Sequence, residues 1–235
     1  MKNKPSLLSR PYPDAEQWKK LLSAFSPEAI AHKLLLASVP YVFRKEPLKF
    51  ALFRKTIADA FNVDPTDIFI VGSALAGRSL KAKELSKEYS ADSDIDTLII
   101  SESLFTSQVM RSLQWVSTVT APDYDKGQRK APELSPETII QISRLSMHAC
   151  RGIWRPDSLP KGAQVREEFF EKFNSVSLKV LGLQLSEEAV EKVFGRVARS
   201  FECAVADVAQ SLERLSHDLQ NIGHNTDQTK VTPVK

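Results

Sequence analysis

Apolar and polar positions recur along this chain with two periods, one helical and one strand-like, and the switches between them mark its elements. Ser26, Pro27 and Glu28 supply a hydroxyl cap, a proline suited to the first helical position and an acid for the first turn. They predict a helix running toward Ala37 and ending before Pro40. Phe50, Phe53, Ile57 and Phe61, three or four residues apart, predict a second helix from Pro47 to Phe61. Asn62 to Pro65 breaks that pattern, and the apolar run that follows predicts a first strand from about Asp67 to Val71. Residues 74–93 are mixed and Lys-rich, predicting a short helix after Gly72 and Ser73 and then a flexible loop into a second strand over 95–101. Helical patterns follow at 104–117 and at 136–150, the latter opened by Ser135, Pro136 and Glu137. Val176 to Leu185 alternates and predicts a third strand, with Gly182 as a bulge. Val190, Val193, Phe194, Val197, Phe201, Val205, Val208, Leu212, Leu215 and Leu219 form one apolar stripe. The stripe predicts a helix of roughly 30 residues, or two helices broken near Ser200.

These elements predict an α/β chain, in the α+β sense, with a small mixed sheet and a helical C-terminal portion. Its parts are a lead-in over 1–25, extended where Pro5, Pro11 and Pro13 fall, and an α/β domain over 26–185. A helical region over 186–223 and a polar, disordered tail over 224–235 complete it. At 235 residues the chain can bury one large core or two small ones, and 42% hydrophobic with 26% charged residues excludes wholesale disorder. A net charge of +3 permits contact with nucleotides or nucleic acid without demanding it. Cys150 and Cys203 stand far apart within helix-like patterns and read as buried thiols of a reducing compartment. The basic N-terminus lacks the apolar core of a signal peptide, and no apolar run approaches a membrane span. A cytoplasmic protein without membrane attachment is expected.

The chemistry concentrates where the first two strands meet the spacer. The run Ile68, Phe69, Ile70, Val71 ends in Gly72 and Ser73, and the second strand opens on Asp94, Ile95, Asp96. On a strand, residues i and i+2 share a face, so the two carboxylates project together and Ile95 points away. Paired carboxylates repel unless a cation lies between them, and magnesium with its oxygen ligands is the usual cation of phosphate chemistry. Either half alone is also ordinary turn chemistry. Both together, in this order and each attached to a strand, are more specific.

This arrangement resembles the active-site signature of the DNA polymerase β-like nucleotidyltransferases over about 35 residues, Asp67 to Ser101. The resemblance implies a sheet of that family's type and transfer of a nucleoside monophosphate from a nucleoside triphosphate such as ATP, releasing pyrophosphate. It assigns nucleotide binding to Gly72 and Ser73, and both catalysis and metal binding to Asp94 and Asp96, which would hold two Mg2+ ions. Arg78, Lys81, Lys83 and Lys87 would help screen the phosphates. The implied acceptor is an RNA, a protein or a small molecule, and some similar stand-alone proteins serve toxin–antitoxin or phage-defence systems. No long template-binding region is present, which argues against a processive polymerase.

The chain departs from the family pattern in two respects. Twenty residues separate Ser73 from Asp94, more than in minimal members. The family also commonly takes a third carboxylate from a neighbouring strand, and the expected strand over 176–185 carries none. Asp157, Asp123 and Asp125 are the substitutes, with Asp157 favoured because its Arg-Pro-Asp turn is rigid. The segment Arg151 to Asp157 is dense in arginine and tryptophan, and it divides evenly between a plain connector and a wall of the acceptor or base pocket. Trp18, Trp115 and Trp154 read as packing residues, and His32, His148, His217 and His224 as helix-face or tail residues. A different class of function stays open: a non-catalytic nucleotide-sensing or adaptor protein that keeps the fold. Its C-terminal stripe would then serve a protein partner or a dimer.

Overall fold

The computed structural model of the chain describes residues 11–90, 92–122, 132–182 and 192–228. Eight α-helices and a four-stranded mixed sheet are found among them. The helices are α1 (Ala15–Ala24), α2 (Pro27–Ala37), α3 (Pro47–Phe61), α4 (Gly72–Ala76), α5 (Glu102–Thr120), α6 (Pro136–Cys150), α7 (Gln164–Leu181) and α8 (Phe201–Gln228). The strands are β1 (Ile68–Val71), β2 (Ile95–Ile100), β3 (Ile153–Trp154) and β4 (Val193–Ala198), in the order β1-β2-β4-β3. β3 and β4 run antiparallel, with Ile153 opposite Ala198 and Trp154 opposite Val197. The α/β expectation holds in this form.

Local chemistry accounts for most helix starts. Ser26 and Ser135 each accept a backbone N–H three residues on, from Ala29 and Thr138, and each precedes a proline at the first helical position. Ser101 caps α5 in the same way through the Leu104 N–H. A cap of this kind stabilises a helix by about 1 kcal/mol. α1 was not expected from the periodicity, yet its signal is present: Asp14 accepts from the Gln17 N–H while the Gln17 side chain accepts from the Asp14 N–H. That reciprocal box starts a helix that buries Trp18, Leu21 and Leu22. The lead-in is therefore helical over Ala15–Ala24.

Two expectations are overturned. Residues up to Leu181 in the expected strand over 176–185 belong to α7, and Gly182 is its left-handed C-terminal cap at φ +68, not a bulge. Val176 and Val180 continue a buried face begun by Phe169 and Phe173, while Leu178, which the alternation required inside, is half exposed. A six-residue alternation is shorter than the helical period on either side of it, and the longer period prevails. Conversely, the first half of the long apolar stripe is the strand β4, with Val193 and Val197 buried. Their spacing of four suits a helix, but pairing with β3 overrides it. The break expected near Ser200 is real: its hydroxyl accepts the Cys203 N–H where α8 begins. α8 runs on to Gln228, through the start of the stretch expected to be disordered.

The chain divides into two compact units. The second, Leu48–Phe69 with Thr97–Ala204, holds an aromatic cluster in which Phe61, Phe169 and Phe173 lie 4.9–5.2 Å apart and Trp154 meets Phe169 at 4.8 Å. Trp154 is fully buried, and its Nε1 donates to Ser112 Oγ at 2.9 Å. Within the Arg151 to Asp157 segment, Ile153, Trp154 and Pro156 are buried, whereas Arg151 and Asp157 are exposed. Cys150, expected inside, is exposed at the end of α6, and Cys203 is half-buried. The first unit takes in residues up to Pro47, Ile70–Asp96 and the chain from Val205, and it holds the four candidate residues Gly72, Ser73, Asp94 and Asp96. No helix among the described residues is long and apolar enough to cross a membrane.

Candidate functional site

The site is built at the turn from β1 into α4. Gly72 stands there at φ +65, a left-handed conformation that glycine adopts without steric cost. A Cβ on Gly72 would lie 2.9 Å from Asp96 Oδ2, so the bare Cα is what lets that carboxylate lie against the turn. β2 delivers Asp96 by strand alternation. Ile95 is buried, whereas Asp94 and Asp96 line the same cavity as Gly72 and Ser73, of about 390 Å3. The four residues singled out from the sequence are therefore brought together, and by the expected route.

The spacer between them is pinned by its own pairing, in contrast to the flexible loop expected. Ser79 N donates to Lys87 O at 3.0 Å and Tyr89 N to Gly77 O at 3.0 Å, around an antiparallel bridge between Arg78 and Glu88. Arg78, expected to screen phosphates, is buried instead. Its Nε donates to Pro13 O at 3.0 Å and its Nη1 to Leu85 O at 2.8 Å, so the guanidinium ties the spacer to the lead-in. Gly77 is required at φ +80, where a Cβ would strike the Tyr41 ring at 2.6 Å. Folded this way, the spacer places Lys81 and Lys87 in the cavity wall together with Glu84, Glu88 and Asp92, while Lys83 is not among its lining residues.

Tyr89 is the residue that sequence reasoning missed. It lines the cavity, its hydroxyl donates to Ser93 O at 3.4 Å, and its ring meets Tyr41 edge-on, as Tyr41 meets Tyr12. Burial pushes its pKa up to about 12, and the negative charges of Asp94 and Asp96 push in the same direction. At neutral pH the phenol is a hydrogen-bond donor at the edge of an acidic site. A tyrosine five residues before an acid pair carries no periodic signal, so only the folded spacer reveals it.

The chain matches no family model, no curated protein and no solved structure. Two carboxylates lining one cavity, Asp96 on β2 and Asp94 immediately before it, beside a glycine that admits one of them closely, fit magnesium, which takes one or two protein carboxylates and fills its shell with phosphate oxygens and water. Among the described residues, no group of three or more His, Cys, Asp or Glu side chains forms a metal-holding cluster. Asp157, the favoured third acid, belongs to a single turn at Pro156–Ser158 in the other unit and joins no such cluster. Asp123 and Asp125 lie outside the described residues.

Proposed function

We propose that the chain is a magnesium-dependent nucleotidyltransferase, moving a nucleoside monophosphate from a nucleoside triphosphate to an acceptor hydroxyl on an RNA, a protein or a small molecule. The observation that carries this reading is the close approach of the Asp96 carboxylate to Gly72, where an added Cβ would lie 2.9 Å from Oδ2, in a cavity that Ser73 and Asp94 also line. That arrangement brings two like charges to one cavity beside a turn that glycine enters without cost. Asp94 and Asp96 would hold magnesium, which supplies charge neutralisation for a triphosphate. Ser73 would donate its hydroxyl to a phosphate oxygen, and Lys81 and Lys87 would offset further negative charge from the spacer side. The acceptor oxygen forms a bond to the α-phosphorus as the bond to pyrophosphate breaks, and the hydroxyl proton passes to solvent.

The test is incubation of the purified protein with each nucleoside triphosphate labelled at its α-phosphate, magnesium and cell lysate. Label should move to an acceptor with the wild type and not with Asp94→Asn. A second reading, a nucleotide-sensing or adaptor protein, is favoured by the pair of acids where the family commonly uses three. It predicts triphosphate binding without transfer. Absence of both binding and transfer would refute both readings.

A further inference from the structure

A second groove, of about 630 Å3, adjoins the site within the same unit, between the spacer turn Leu80–Glu84 and one face of α8. We infer that this groove seats the nucleoside end of the triphosphate, with its base against the apolar wall. The inference rests on the proposed function and adds to it the place of the base. Adjacency is the first argument: Leu80, Lys81 and Glu84 line both cavities, so the groove borders the Gly72–Asp96 cavity at the spacer turn, within reach of a nucleotide whose phosphates lie there. Division of chemistry is the second. The first cavity is lined mostly by carboxylates, serines and lysines, which suit phosphates and a cation, with Leu80 and Tyr89 as its large apolar and aromatic side chains. The groove has Leu80, Ala82, Leu215 and Ile222 as its apolar surface, the kind of wall on which a planar ring buries both faces.

The helix wall is a single stripe. Ser211, Arg214, Leu215, Asp218, Asn221 and Ile222 recur at helical spacing along α8 and all face the groove. Leu215 is buried at its base, while Arg214, Asp218 and Asn221 supply a guanidinium, a carboxylate and an amide at its rim. A few polar groups around an apolar floor, in a volume within the about 300–1,000 Å3 of ligand pockets, is how small-molecule sites combine affinity with orientation. This assignment also gives the long spacer a purpose: the pairing that pins residues 77–89 holds the wall common to both cavities.

The experiment compares magnesium tripolyphosphate with the four magnesium nucleoside triphosphates by calorimetric titration. It uses the wild type and two groove-filling variants from opposite walls, Ala82→Trp and Ser211→Trp, each checked by melting. At least one triphosphate should bind the wild type more tightly than tripolyphosphate. The variants should weaken that binding by about tenfold or more, the order of an apolar contact in a pocket, and leave tripolyphosphate within about twofold. Unchanged nucleoside triphosphate affinity in folded variants would overturn the inference, as would wild-type affinities equal for tripolyphosphate and every nucleoside triphosphate. Loss of tripolyphosphate binding alongside the nucleotide would overturn it too, since the groove would then not be separable from the phosphate end. A wild type that binds none of these ligands would bring down the proposed function itself, a distinct result.

Discussion

Replacing Gly72 with alanine has consequences that follow from two structural quantities. The first is φ +65, a left-handed conformation that costs an L residue about 1–2 kcal/mol. The second is the 2.9 Å between the added Cβ and Asp96 Oδ2, where ordinary contact begins at 3.4 Å, so the carboxylate must withdraw by about half an ångström. Gly182→Ala separates the two effects, because Gly182 shares the conformation at φ +68 and a Cβ there meets nothing within 4 Å. Both variants should lose the strain energy in urea denaturation. Gly72→Ala should lose about 0.5–1.5 kcal/mol more, the cost of driving one side chain off its rotamer. The extra loss should vanish in an Asp96→Ala background, which removes the atom struck. Function should suffer as well. A 1 Å misplacement can cost about a hundredfold in rate, so a half-ångström shift of the carboxylate proposed to hold magnesium should cost about tenfold in transfer. Equal destabilisation by the two glycine variants, with triphosphate binding and transfer intact in Gly72→Ala, would refute the reasoning.

Asp94→Asn and Asp96→Asn should each abolish nucleotidyl transfer while the melting temperature holds or rises slightly, because like-charge repulsion is relieved; wild-type activity in either would remove the metal assignment. Magnesium and a nucleoside triphosphate should raise the melting temperature together more than the sum of their separate effects, since phosphate oxygens complete the shell that two carboxylates leave open. A flat melting scan across all triphosphates would contradict this. Tyr89, raised to about 12 by burial and then by Asp94 and Asp96, stays neutral in the folded chain while the unfolded chain ionises at the ordinary 10.0. Its contribution to stability is full below about pH 10 and lost as pH rises toward 12, so Tyr89→Phe should flatten that part of the stability profile. Asp94→Asn should lower the phenol's midpoint in an absorbance titration, and an unmoved midpoint would place Asp94 too far away to act on it.

The legible parts of this molecule are those whose causes are local. Ser26-Pro27 and Ser135-Pro136 state their helices because the cap bond closes within three residues. The grouping of Gly72, Ser73, Asp94 and Asp96 needs only the alternation of one strand and a turn that glycine alone enters without cost. The illegible parts answer to distant partners. β4 is a strand because of its neighbours in the sheet, and a spacing of four between Val193 and Val197 says nothing of them. α7 hides in an alternation because its buried face is read only over the whole of Gln164–Leu181.

The spacer shows how the two kinds of cause combine in one site. Its lysines look interchangeable in sequence, and so does its arginine. Folding divides them: Arg78 is drawn inside to satisfy the carbonyls of Pro13 and Leu85, whereas Lys81 and Lys87 are left on the cavity wall. The division follows from side-chain chemistry. A planar guanidinium with five donors can satisfy two carbonyls inside the protein while keeping its charge, and an ammonium retains its hydration best at a surface. A Lys-rich insertion held by one buried arginine thus keeps two of its cations on the cavity wall. Arg78→Lys would keep the charge and lose the fork, loosening the wall shared by both cavities. Such a variant should weaken triphosphate binding with Asp94 and Asp96 untouched, and binding equal to wild type would mean that the spacer's fold is irrelevant to the site.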